Sequence, residues 1–134
     1  NNFVKTMLSL GEEGDSLNVV CDQVASPTYA GDLAKAILDI IMHADFSKQS
    51  QKQSLYHYSN EGVCSWYDFA KVIFEVSHIR CKVTPVTTED YPTSAQRPHY
   101  SLMNKNQIKW DYGLNVSYWK DSVRVCQEKL IGAR

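Results

Sequence analysis

Helical and extended hydrophobic periods alternate along this chain, and that alternation confines it to the α/β fold class. Phe3, Val4, Met7, Leu8 and Leu10 make a helical stripe that Gly11 and Gly14 are expected to stop. Leu17-Asn18-Val19-Val20 reads as a short strand, and Ser26-Pro27-Thr28 as a turn into the next element. Over residues 29–45, Leu33, Ile37, Ile40, Ile41 and Ala44 recur at the spacing of a long amphipathic helix with one apolar face. The polar stretch 47–54 reads as a solvated loop, and the aromatic stretch 55–59 (LYHYS) as a strand. Ser65 with Asp68 three positions on predicts a capped helix that carries Phe69, Ala70, Ile73 and Phe74 on one face.

Residues 82–87 are β-like, but Pro85 lacks an N–H and so confines them to a sheet edge or a strand end. Two prolines and little periodicity make residues 88–100 an ordered loop or binding surface. Asn104 is expected to cap a short helix ended by Gly113. Ser117 is expected to cap a last helix with Trp119, Val123, Cys126 and Leu130 inside. The resulting order is α-β-α-β-α-β-α-α, with no internal repeat, in one region spanning 1–134. A first helix with only two asparagines as lead-in is the mark expected of a piece of a longer protein.

Charge and composition narrow the function classes. The chain of 134 residues has 14 Lys and Arg against 15 Asp and Glu, a net charge of −1. That balance argues against a nucleic-acid or membrane-surface partner, which would call for a basic excess. No apolar run approaches the roughly 18–20 residues that cross a bilayer. Cys21, Cys64, Cys81 and Cys126 are scattered without a CxxC pair, so reduced thiols and a cytoplasmic location are expected. His43, His57, His78 and His99 include no pair at i, i+3 or i+4, and no metal site is expected.

Phosphate loops bring backbone N–H groups against an anion through closely spaced glycines. The six glycines here form neither GxGxxG nor GxxxxGK, so no complete nucleotide site is encoded. Tyr67 and Lys71 match the Tyr-x-x-x-Lys spacing of reductases, but their place early in a capped helix favours an ordinary i, i+4 pair. No residue of the chain is therefore assigned a catalytic role. Arg97, beside Pro98, has the planar fork of donors that clamps a diphosphate; composition alone favours an ordinary surface arginine. Trp66, Tyr67 and Tyr91 could stack on a base or sugar or simply pack. Asp32 is accounted for by the helix macrodipole.

As a string, the chain resembles a known family. The blocks are 1–8 (NNFVKTML), 18–23 (NVVCDQ), 26–34 (SPTYAGDLA), 56–62 (YHYSNEG), 65–70 (SWYDFA), 91–93 (YPT), 97–101 (RPHYS) and 119–122 (WKDS). In this order they are similar to the second half of the dTDP-4-dehydrorhamnose reductases, which are extended short-chain dehydrogenase/reductases. The resemblance implies a C-terminal substrate-binding part of such an enzyme, with the N-terminal Rossmann core largely missing. It implies a parent protein that converts dTDP-4-dehydro-L-rhamnose to dTDP-L-rhamnose with NADPH or NADH bound by the missing domain. Mg2+ and a homodimer of the full-length protein are further implied candidates, and the fragment alone is expected to be inactive. By resemblance, Asn1 or Asn2 and Arg97 touch the substrate diphosphate, and Ser26, Pro27 and Thr28 shape the wall of the sugar cleft. Ala25 stands where many relatives have glycine. Alternatives are a non-catalytic relative, such as a methionine adenosyltransferase regulatory subunit, or another nucleotide-sugar enzyme of the superfamily.

The compartment reading predicts about four titratable thiols per denatured chain without reductant, one for each cysteine. A value near zero in fresh protein would overturn it.

Overall fold

The computed structural model describes residues 2–43 and 54–132, so the expected polar loop at 47–53 and Ala44 lie outside the described residues. The elements are α1 (Phe3–Glu13), β1 (Ser16–Val20), β2 (Val24–Ala25), α2 (Ala30–His43), β3 (Cys64–Ser65), α3 (Trp66–Ser77), β4 (Lys82–Val86), α4 (Asn106–Tyr112) and α5 (Trp119–Gly132). The α/β class holds, but the order is α-β-β-α-β-α-β-α-α, with β2 ahead of α2 and β3 at Cys64–Ser65. β1 and β4 pair in parallel, Ser16 opposite Lys82 through Val20 opposite Val86, across a crossover that contains α2 and α3. Pro85 sits in β4 without disturbing the pairing, because among the described residues β4 has β1 as its one ladder partner. β2 and β3 form a second, antiparallel pair of two residues each, too short to have left a periodic trace in the sequence.

The centre of the core is α3. Ser65 caps it as expected: its hydroxyl accepts from Asp68 N at 3.0 Å, and the Asp68 carboxylate accepts from Ser65 N at 2.9 Å. Phe69, Ala70, Val72, Ile73 and Phe74 are buried between α1, the β1–β4 pair and α5. Phe3 stacks on Phe69 with ring centroids 5.3 Å apart, and Trp119 meets Phe69 edge-on at 5.9 Å. Gln127 is buried on the inner face of α5 beside Trp119 and Val123. It donates to Ile73 O at 3.1 Å and to Ser77 Oγ at 2.7 Å. Cys126 and Leu130 are only half-buried.

Several expectations are corrected. Gly11 does not stop α1; it lies inside it, where a Cβ would sit 2.6 Å from the Phe74 ring, so glycine serves close helix packing. Gly14 is the actual cap. Residues 55–59 form no strand. Tyr56 instead packs edge-on against Tyr112 and donates to Asp111 at 2.8 Å, while the chain turns inward at Ser59 and Asn60. Leu33, Ile37 and Ile41 of α2 face outward, the helix burying Ala36 instead. Ser117 does not cap α5, which begins at Trp119: among the described residues the Ser117 hydroxyl makes no bond to the helix, while its carbonyl accepts from Glu61 N at 2.9 Å and from Asn60 Nδ2 at 3.2 Å. Asn104 takes the first amide of α4, Asn106 N, at 2.9 Å from one residue ahead of the N-cap Lys105.

Asn60, fully buried, joins α2 to α5. Its Oδ1 accepts from Tyr29 N at 2.7 Å, and its Nδ2 donates to Asp32 at 2.6 Å and to Ser122 at 2.9 Å. Beside it Glu61 pairs with Lys109 and, at 3.6 Å, with Lys105, which hold its carboxyl below the usual range. Gly62 follows at φ +89, with the Tyr118 ring filling the space a side chain would need.

The four cysteines are free, and burial pushes the Cys64 thiol up to about 12, so it should react slowly in the native state. Asn60→Asp should lower Tm at pH 7, because a second carboxylate would face Asp32 where an N–H now donates. The loss should be about 2–4 kcal/mol by calorimetry and should shrink on acidification as the pair takes up a proton. Glu61→Gln should destabilise at neutral pH. The lowered Glu61 carboxyl stabilises the fold above its ordinary value and loses that contribution as pH falls through its folded one. The gap from wild type should therefore close below about pH 4, as checked by denaturant titration across pH.

Candidate functional site

A cleft of about 480 Å³ opens where the first turns of α1, the end of β1, the start of α3 and the loop 88–100 meet. α1 contributes Asn2, Phe3, Thr6 and Met7, and β1 contributes Asn18, Val19 and Val20. Gln23, Trp66, Tyr91, Thr93 and Arg97 complete the wall. Arg97 is the one charged residue among them. Among the described residues, no carboxylate lines the cleft.

Asn2 reaches this wall because it is the N-cap of α1, its Oδ1 accepting from Lys5 N at 3.0 Å. That bond leaves its amide N–H groups as the end able to donate. The positive end of the α1 dipole lies at the same corner. Phe3 anchors the corner from below, its ring 4.8 Å from that of Trp66. Trp66 is fixed in turn as the first residue of the capped α3.

The opposite wall is a loop tied down at both ends. The Asp22 carboxylate accepts from Thr88 N at 3.0 Å and from Thr88 Oγ1 at 2.7 Å, and these bonds hold its carboxyl below its ordinary value. Buried Gln23 adds a bond from Nε2 to Thr88 Oγ1 at 3.1 Å. At the other end, Val24 N donates to His99 O at 2.8 Å and Ser101 N to Val24 O at 3.1 Å. Arg97 itself is exposed and makes no hydrogen bond or ion pair among the described residues. An arginine whose donors are unspent, on a wall without acidic groups, is suited to an anion. The neighbouring Trp66 and Tyr91 offer ring faces to a base or sugar.

Of the residues singled out in the sequence, Asn2 and Arg97 meet in this cleft, and Asn1 lies outside the described residues. Ser26 and Pro27 line a smaller recess of about 60 Å³ that shares Trp66 with the cleft, and the Ser26 hydroxyl donates to Gly62 O at 2.5 Å. Thr28 lines neither space. Trp66 and Tyr91 stand on the cleft wall, whereas Tyr67 packs against the core. Sequence reasoning missed Thr6, Asn18, Gln23 and Thr93. The one signal available was the polar pair Asp22-Gln23 directly after an apolar strand. Among the described residues, no three of His, Cys, Asp and Glu converge as a metal cluster, and no helix is long and apolar enough to cross a membrane.

The chain is similar to known proteins in sequence and in fold. The family model described as the RmlD substrate binding domain matches residues 1–131. A spore coat polysaccharide biosynthesis protein, SpsK, of Bacillus subtilis is 40% identical over 92% of this chain and 41% of its own length. A dTDP-4-dehydrorhamnose reductase of Aggregatibacter actinomycetemcomitans is 38% identical over 92% of this chain and 44% of its own. Among solved structures, a dTDP-4-dehydrorhamnose reductase from Clostridium acetobutylicum superposes with a TM-score of 0.86 at 41% identity, over 97% of this chain and 44% of that one. The Bacillus anthracis reductase, solved in complex with NADP, has a TM-score of 0.82 at 39% identity, over 92% and 41%. The chain thus spans less than half the length of the relatives it matches.

Proposed function

The chain belongs to the RmlD substrate-binding domain family, and from that premise we propose that it is the sugar-nucleotide-binding half of a dTDP-4-dehydrorhamnose reductase. The parent enzyme would reduce the C4 keto group of dTDP-4-dehydro-L-rhamnose, giving dTDP-L-rhamnose. The observation that carries the reading is the convergence of Arg97 and Asn2, 95 positions apart in the sequence, on one aromatic-walled cleft without a carboxylate.

In this reading Arg97 and the amide of Asn2, helped by the α1 N-terminus, hold the diphosphate of the substrate. Trp66 and Tyr91 flank the thymidine or the sugar. Val19, Val20 and Met7 supply the apolar floor that keeps water from competing for the polar groups. In this reading these groups bind and orient the substrate, and none of them is assigned a proton-transfer step.

We assign the dinucleotide elsewhere: among the described residues no glycine lines the cleft to offer the close backbone approach of a glycine-rich cofactor loop. Hydride transfer and protonation are accordingly assigned to parts of the parent protein other than this chain, and the chain alone should neither reduce the sugar nor bind NADPH measurably. Substrate turnover or micromolar NADPH binding by the chain would overturn that assignment.

A guanidinium on the unreacting phosphates binds substrate and transition state alike, so its loss appears mainly in KM. Charge-assisted hydrogen bonds are worth roughly 1.5–3 kcal/mol, so Arg97→Ala should weaken dTDP binding by about ten- to a hundred-fold in calorimetry. In the parent reductase, KM should rise by a similar factor with kcat lowered less. Unchanged affinity would remove Arg97 from the site and the diphosphate from the cleft.

A further inference from the structure

The loop that carries Arg97 is tied down at each end, and Asp22 takes part in both ties, beside Gln23 at Thr88 and Val24 at His99. Asp22 follows the last residues of β1, where Cys21 N donates to Val86 O at 2.9 Å and extends the β1–β4 pairing. Both oxygens of its carboxylate lie 3.0 Å from Thr88 N, and one lies 2.7 Å from Thr88 Oγ1. Its backbone carbonyl lies 3.0 Å from His99 Nδ1. Thr88 and His99 bound the loop, and between them stand Tyr91, Thr93 and Arg97, three of the cleft-lining residues.

The bonds within the loop are local and none reaches the Arg97 side chain. Tyr91 N donates to Thr88 O at 3.3 Å, and Thr93 Oγ1 donates to Ala95 O at 2.9 Å. With no hydrogen bond or ion pair of its own among the described residues, Arg97 takes its position from the loop ends. Asp22 is not itself in the cleft lining, and its side-chain contacts run to the ends of that loop.

We propose that Asp22 is a positioning residue of the anion-binding cleft: by gripping Thr88 through its carboxylate and His99 through its carbonyl, it holds Arg97 over the opening. The proposal rests on the reading of the cleft as a sugar-nucleotide site. It explains why a carboxylate is tolerated at the edge of a cleft meant for an anion. The Thr88 amide and hydroxyl donate to it, and His99 faces it at 3.7 Å. Its charge is engaged by these groups and is not part of the cleft lining.

A double-mutant cycle on the 134-residue chain, with dTDP as the probe in calorimetry, tests this. Asp22→Ala should weaken dTDP binding about ten-fold in the wild-type background and less than about two-fold when Arg97 is already Ala. Asp22→Asn, which keeps one acceptor for Thr88, should fall between. Equal losses in both backgrounds would mean that Asp22 acts on overall stability rather than through Arg97, and would overturn the proposal. Amide hydrogen exchange supplies a readout that needs no ligand. Asp22→Ala should speed exchange across residues 88–99 while α3 stays protected, and unchanged exchange in that loop overturns the clamp. If wild-type protein does not bind dTDP, the sugar-nucleotide reading fails, and the exchange experiment still decides whether Asp22 holds the loop.

Discussion

The hydrogen bonds of Asn60 are the constraint on which the rest of this structure depends. A side-chain amide has one acceptor and two donors, and here the acceptor takes Tyr29 N while the donors serve Asp32, Ser122 and Ser117 O. Buried amide groups left without partners are expensive, so the geometry of three separate chain segments, 29–32, 60 and 117–122, is set together. Asp32 also accepts from Ser122 Oγ at 2.5 Å, which closes the network. The adjoining Glu61 exchanges backbone bonds with Ser117 and Trp119, placing the start of α5 against the segment that leads into α3.

That junction reaches the cleft in two steps. Gly62 lets the chain pass beneath Tyr118 and Trp119 and offers its carbonyl to Ser26. The β2–β3 pair then aligns Val24 with Ser65, immediately before the cap that orients Trp66. Val24 is also the residue that bonds His99 and Ser101. One two-residue strand therefore connects the aromatic wall of the cleft with the far end of the arginine loop. A rigid α/β frame with its polar groups on a loop is the usual division of labour between scaffold and site.

The electrostatics of the cleft follow from what the walls omit. With Arg97 as the one lining charge and apolar residues beneath it, a bound diphosphate would meet a guanidinium and a helix N-terminus at reduced screening. The Asp22 carboxylate at the edge of the cleft is engaged by the Thr88 donors. A net charge of −1 for the whole chain is compatible with such a site, because a local field depends on which charges face the opening.

Where local chemistry decides, the sequence by itself was sufficient. The Ser65–Asp68 capping box, the α3 face from Phe69 to Phe74, the edge placement of Pro85 and the end of α4 at Gly113 each need only neighbours a few residues away. The similarity blocks likewise pointed to the family and to Arg97. Tertiary structure alone decided the remainder, since these features depend on partners far along the chain. Gly11 continues a helix because Phe74 needs its space, and residues 55–59 forgo a strand because Asn60 must reach Tyr29, Ser117 and Ser122. The α2 stripe of Leu33, Ile37 and Ile41 faces outward although its periodicity marks an apolar face, because periodicity defines a face without saying what lies opposite. Gln23, Asn18 and Thr93 become cleft residues only when β1 and the loop 88–100 are brought side by side, a pairing across more than sixty positions that no local pattern encodes.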